Sequence, residues 1–163
     1  MADTLTRRSP LQDWHSRFAE LPESVHVAEE PCIAMVDLWV DPSDAGGAAV
    51  AGVLGIGALP TTSSSAVNGP DTTVIWLGPD EWLVTSTERA GEDLEAQLRA
   101  AVADHDGAAV DVSAQRTTLR LRGAHARDVL AKGCSLDLHP SVFGPGVAAQ
   151  TMLGLAGAVL IPV

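Results

Sequence analysis

Residues 109–140 read AVDVSAQRTTLRLRGAHARDVLAKGCSLDLHP, and their succession of strand, helix and polar-loop signals sets the fold class. Ala109–Val112 and Thr117–Arg122 have the composition and alternation of strands. In the second, Leu119 and Leu121 share one face, while Thr118, Arg120 and Arg122 share the other. That pattern predicts one buried face and one charged or partner-facing side. Gly123 opens a short helix through Lys132 that buries Ala126, Val129 and Leu130, with Gly133 as its C-cap. Beyond Phe143 and Gly144, AQTMLGLAGAVLIPV supplies two more strands, Thr151–Leu155 and Ala158–Ile161, with a turn expected at Gly157. The stretch holds no nucleophile–base pair, metal cluster or phosphate loop of its own. So dense a segment without self-contained chemistry suggests a part that works with a partner.

Toward the N-terminus the signals are plainer. Glu92–Val102 carries Leu94, Leu98, Ala101 and Val102 at helical spacing, and Glu92 and Asp93 favour the positive helix start. Thr73–Leu77 and Trp82–Thr85 read as strands around the turn signal GPDE. Thr61–Thr73, rich in Ser, Thr, Gly, Asn and Pro, fits a flexible connection or an exposed hairpin. In DAGGAAVAGVLGIGALP, Val50, Val53 and Leu54 share a helical face, although Gly46, Gly47, Gly52 and Gly55 weaken the helix. Cys32–Trp39 is a strand candidate with Cys32, Ala34, Val36 and Leu38 on one face and Ile33, Met35, Asp37 and Trp39 on the other. Residues 1–30 form an N-terminal extension. There Ser9 caps, Pro10 opens and Leu11, Trp14, Phe18 and Leu21 line a short docking helix. Over residues 31–163 the order of elements predicts an α+β sandwich of two similar sheet-and-helix units rather than a doubly wound fold.

A chain of 163 residues suits one domain with an extension. Aromatic residues make up 4% of it, so the core must rest on Ala, Val and Leu. The net charge of −11 disfavours a phosphate backbone as partner, and nucleic-acid binding is not expected. No signal-peptide pattern follows Arg7 and Arg8, and no apolar run is long enough to span a bilayer; a cytoplasmic protein without membrane contact is expected. Cys32 and Cys134 read as reduced thiols, with a disulfide between them as the alternative.

Candidate chemistry is thin. The five histidines include no pair at i, i+4 and none in metal-finger spacing, so no metal is expected. His139 lies in SLDLHP near Asp137 and Cys134. A structural loop is the plainer reading, and a Cys–His nucleophile the sharper one. Nucleotide-binding and nucleophile-elbow fingerprints are absent from the sequence. Asp111 is placed to fix the turn after its strand. Trp76, Asp80, Glu81 and Trp82 form a second cluster: a hairpin whose tryptophans cover a thin core, or a tip aiming Asp80 and Glu81 at a site or interface. Arg116, Arg120 and Arg122 suit acidic groups of a partner or ordinary surface pairing.

WLGPDEWLV, DVSAQRTTLRLRGAHARDVLAKGCSLDLHPSVFGPG and AQTMLG together resemble the gamma subunit of heterotetrameric sarcosine oxidase. The likeness covers roughly residues 30–162 and is most specific from Asp111 to Leu153. It implies an α+β fold similar to the folate-binding domain of glycine-cleavage aminomethyltransferase (T-protein). It also implies membership of an αβγδ complex that oxidises sarcosine to glycine and hydrogen peroxide and passes the one-carbon unit to tetrahydrofolate. FAD, FMN, NAD and the folate site are then carried by the larger subunits. Gamma is an accessory subunit packed chiefly against alpha, without an assigned catalytic residue. The family typically continues past VLIPV with a further strand and an aromatic-rich helix, so this chain is expected to lack that C-terminal element. Two other readings are a stand-alone folate-binding-type protein, with Asp111, Asp80 or Glu81 as ligand contacts, and a structural homo-oligomer formed through the C-terminal edge.

Overall fold

A computed structural model describes residues 8–163. A 3-10 turn (Gln12–Trp14) and helix α1 (His15–Ala19) precede strands β1 (His26–Glu30) and β2 (Ala34–Trp39). Helix α2 (Ala45–Leu54) leads to β3 (Ala66–Asn68), β4 (Thr73–Gly78) and β5 (Glu81–Ser86). Helix α3 (Gly91–Val102), β6 (Ala108–Asp111), β7 (Thr118–Arg122), α4 (Ala126–Ala131), β8 (Ala149–Leu153) and β9 (Ala156–Leu160) complete the chain. The fold is α+β. Five strands form an antiparallel sheet in the order β3-β4-β5-β2-β6, and β1–β7 and β8–β9 make separate two-stranded ribbons.

Strand β2 lies inside the sheet, between β5 and β6, and its alternation divides the molecule. Val36 and Leu38 point to the side covered by α2 and α3, where they meet Val50, Leu54, Leu94, Leu98 and Val102. Helix α2 forms despite its glycines because its ends are well satisfied. The Asp44 carboxylate accepts from the N–H groups of Gly46 (2.7 Å) and Gly47 (3.1 Å), and Gly55 closes the helix in the left-handed conformation at φ +65°. Helix α3 buries Leu94, Leu98 and Val102, the i, i+4, i+8 stripe that its sequence predicts. Trp82 fills the centre of this layer, fully buried, and its indole N–H donates to the Pro60 carbonyl at 2.8 Å.

On the opposite side Met35, Ile75 and Leu83 pack against Ala148 and Val159 from the C-terminal hairpin. The hairpin is tied down by backbone bonds Ala66 N–H to Gly146 O (2.9 Å) and Ala148 N–H to Ser64 O (2.9 Å). Gln150 Nε2 adds a bond to the Leu77 carbonyl at 2.9 Å. The stretch Thr61–Thr73 holds the edge strand β3, a hairpin partner of β4.

Several local expectations need correction. The strand begins at Ala34 rather than Cys32, because Cys32 takes a left-handed turn conformation at φ +63°. The mixed-polarity run His26–Glu30 is a strand, held by its register with β7. The last hairpin turns at Gly154 and Leu155, not at Gly157, because Gly154 supplies the left-handed φ of +61°. Helix α4 buries none of its residues fully, and Val129 faces solvent. Leu130 is the apolar residue that reaches inward, to a small cluster of Leu138, Phe143 and Ala149. Its C-cap is Lys132 in the right-handed region, not a left-handed Gly133. Leu119 is 48% exposed, so the leucine face of β7 is not a buried one. The strand pairs with β1 in a separate two-stranded ribbon instead of joining the five-stranded sheet.

Candidate functional site

The side of β2 away from the helices carries Met35, Asp37 and Trp39. The C-terminal hairpin covers the Met35 end and stops short of the rest. What remains is an open half-face. Trp39 lies opposite Glu81 on β5 and Ala108 on β6, and Asp37 lies opposite Leu83 and Val110. Asp37 and Glu81 are therefore diagonal neighbours across the β2–β5 pair, within reach of each other's field. Trp39 is 48% and Val110 53% exposed, which is unusual for large apolar residues on an interior strand and its neighbour.

The electrostatics of this half-face are unresolved within the chain. Asp37 Oδ1 is shut off from solvent and has no hydrogen-bond partner among the described residues. A carboxylate oxygen in that position carries a desolvation cost with nothing to offset it. Burial raises the pKa of Glu81, repulsion from Asp37 raises it further, and the Arg116 guanidinium opposes both. Arg116 is itself exposed.

The other predicted residues disperse. Trp76 pairs with Trp82 across β4 and β5 on the helix side, and its indole N–H has no partner among the described residues. Asp80 is exposed at the hairpin turn, where its carbonyl accepts from Val40 N–H at 3.1 Å. Asp111 does what its strand-end position predicts: Oδ1 accepts from Ser113 N–H at 2.8 Å and from the Ser113 hydroxyl at 2.5 Å. Arg120 pairs with Glu30 across the β1–β7 ribbon, which raises the guanidinium's pKa above its ordinary value. Arg122 faces solvent opposite His26. His139 Nδ1 meets Ser141 Oγ at 2.7 Å and its N–H donates to Asp137 Oδ1 at 2.9 Å, a self-contained loop. Cys134 instead lies 3.6 Å from Thr151 Oγ1, so the structure does not assemble a Cys–His pair. Cys32 is exposed, Cys134 is buried, and both are free thiols.

Two arrangements escaped the sequence. The side chain of Glu29 is 0% exposed, and it takes hydrogen bonds from Ser9 Oγ, Thr117 Oγ1 (2.7 Å) and His15 Nε2 (2.7 Å). Burial alone would raise its pKa, but these bonds and one from the Leu11 N–H outweigh it and hold the carboxyl at about 2. Glu29 thereby ties the N-terminal segment to the β1–β7 ribbon. Arg127 donates to the carbonyls of Leu138 and Phe143, the latter at 3.1 Å, and fastens the 138–143 loop to α4. Neither could be seen in spacing, because each joins residues from distant parts of the chain or from an irregular loop.

Residues 39–161 match the sarcosine oxidase, gamma subunit family. The chain is 37% identical over 152 residues to a sarcosine oxidase subunit gamma of Corynebacterium sp. (strain P-1), covering 92% of this chain and 74% of that one. The corresponding subunit of an Arthrobacter species is also 37% identical over the same length. Among solved structures, the heterotetrameric sarcosine oxidase from Corynebacterium sp. U-96 in complex with pyrrole 2-carboxylate contains a similar chain. It superposes with a TM-score of 0.84 at 32% identity, over 95% of this chain and 80% of that one. With this agreement of sequence and backbone, the chain belongs to the sarcosine oxidase gamma subunit family.

Proposed function

We propose that this chain is the accessory gamma subunit of a cytoplasmic αβγδ sarcosine oxidase, seated chiefly against the alpha subunit. The observation that carries the reading is the backbone likeness over 95% of the chain to a component of a heterotetrameric sarcosine oxidase. The complex would oxidise sarcosine to glycine with production of hydrogen peroxide and transfer the one-carbon unit to tetrahydrofolate. FAD, FMN, NAD and folate would be bound by the larger subunits. This chain's own part is architectural: a rigid sheet sealed by helices on one side offers its other side to the assembly. The family likeness to the folate-binding domain of aminomethyltransferase belongs to the same proposal. It motivates a role in shaping the route of the one-carbon intermediate.

Reconstitution of the oxidase with and without this chain tests the proposal. Loss of sarcosine-dependent peroxide or of methylene-folate yield without the chain is expected. Equal yields in the two preparations would remove the functional role. Saturable binding of reduced folate by the isolated chain would favour the stand-alone folate-binding alternative instead.

A further inference from the structure

We propose that the open half-face of the central sheet docks a neighbouring subunit through one cationic side chain, an arginine or lysine, received between Asp37 and Glu81 and flanked by apolar residues that lie on Trp39 and Val110. The inference deepens the gamma-subunit reading and rests on it.

The sheet supplies the argument. Its helix side is complete: Val36, Leu38, Val74, Trp82 and Val84 are all sealed beneath α2 and α3. Its other side is complete only where the C-terminal hairpin lays Ala148 and Val159 over Met35, Ile75 and Leu83. Two residues further along β2 the same face carries the Asp37 carboxylate, whose buried Oδ1 has no hydrogen bond among the described residues, with the exposed indole of Trp39 and the exposed Val110 of β6 beside it. An isolated monomer gains nothing from that arrangement. A partner cation beside the accessible part of the Asp37 carboxylate would relieve the crowding of Asp37 against Glu81, which Arg116 offsets only in part. Trp39, directly opposite Glu81, presents an aromatic surface suited to a guanidinium or ammonium group. Exposed apolar side chains at Trp39 and Val110 beside this acidic pair mark an interaction surface rather than a free one.

Charge also selects the occupant. A second copy of this chain, docked by two-fold symmetry on the same patch, would oppose Asp37 and Glu81 with their own duplicates, in a protein of net charge −11. A nucleic acid is excluded on the same ground. The fitting partner is a basic, partly apolar surface on another subunit.

The test uses the full complex. The remaining subunits are co-purified and titrated with the wild-type chain, with the Asp37→Asn/Glu81→Gln double variant, and with Glu92→Gln/Asp93→Asn. The last removes the same two charges from the exposed start of α3. The Asp37/Glu81 variant should bind at least about thirtyfold more weakly. Its affinity should lose most of its salt dependence, while the α3 variant stays within about twofold of wild type. Affinity and salt slope unchanged in the Asp37/Glu81 variant, with the wild type assembling, would overturn the inference and leave the gamma-subunit reading intact. Failure of the wild type itself to assemble would overturn both. A photo-crosslinking residue at Val110 gives a readout independent of charge. Cross-links to a larger subunit are expected, and cross-links only to a second copy or to the chain itself would contradict the proposal.

Discussion

The two sides of the five-stranded sheet follow different rules. On the helix side the inward positions are mostly apolar: the Trp82 N–H finds the Pro60 carbonyl, the Ser86 hydroxyl finds the Asp71 carbonyl, and the Trp76 N–H is left without a partner among the described residues. On the other side the strand alternation is the same, yet it delivers Asp37, Trp39, Glu81 and Val110 to a surface that the chain covers only halfway. The first side explains why the domain folds. The second, left with the neighbouring carboxyl groups of Asp37 and Glu81 and the exposed side chains of Trp39 and Val110, explains why folding alone does not satisfy it. Stability and assembly are thus assigned to opposite faces of one sheet.

That division can be broken by mutation. The largest effect is expected at Trp82. Trp82→Ala should cost about 3–5 kcal/mol in denaturant unfolding, whereas Trp39→Ala, two residues along the same face as Asp37, should change the isolated chain by less than about 1 kcal/mol. Comparable losses from the two would erase the distinction between the faces. Leu83→Ala should fall between them, at about 2–4 kcal/mol, because the C-terminal hairpin buries it. Deleting the helix cap with Asp44→Ala should cost about 1 kcal/mol, since Gly46 and Gly47 lose their acceptor. At Asp37 the sign should reverse. Asp37→Asn removes a charge that lacks a partner, so the melting temperature of the isolated chain should hold or rise while assembly weakens.

The smallest effect concerns acid. The carboxyl of Glu29 is held at about 2 against an ordinary 4.5, so its folded-state pKa is depressed. Its contribution is fully present above the unfolded value and is lost as pH falls from about 4.5 through about 2. Amide exchange in residues 11–18 should therefore accelerate in that window, ahead of exchange in β2 and β5. Simultaneous loss of protection throughout would contradict a local latch.

Much of this was legible in the sequence. The i, i+4 stripe of α3, the β4–β5 hairpin around GPDE and the two faces of β2 follow from periodicity, because packing there is dictated by one covered surface. Periodicity misled at Leu119, whose alternation is genuine but whose strand pairs with β1 in a two-stranded ribbon outside the main sheet. It was silent at β1, where the mixed run HVAEE is extended because β7 pairs with it. The candidate site was half visible. Glu81 stood out in its motif, while Asp37 looked like one polar residue in an apolar strand. Its meaning depends on which part of the face the distant C-terminal hairpin covers, and no local pattern encodes that.

The most direct measurement is a cryo-electron microscopy structure of the sarcosine oxidase assembled with this chain. The account predicts a basic side chain of a neighbouring subunit between Asp37 and Glu81, with Trp39 and Val110 buried beneath it. A complex in which that half-face lies open to solvent, while the chain is held through α2 and α3 or through the β1–β7 ribbon, would contradict it.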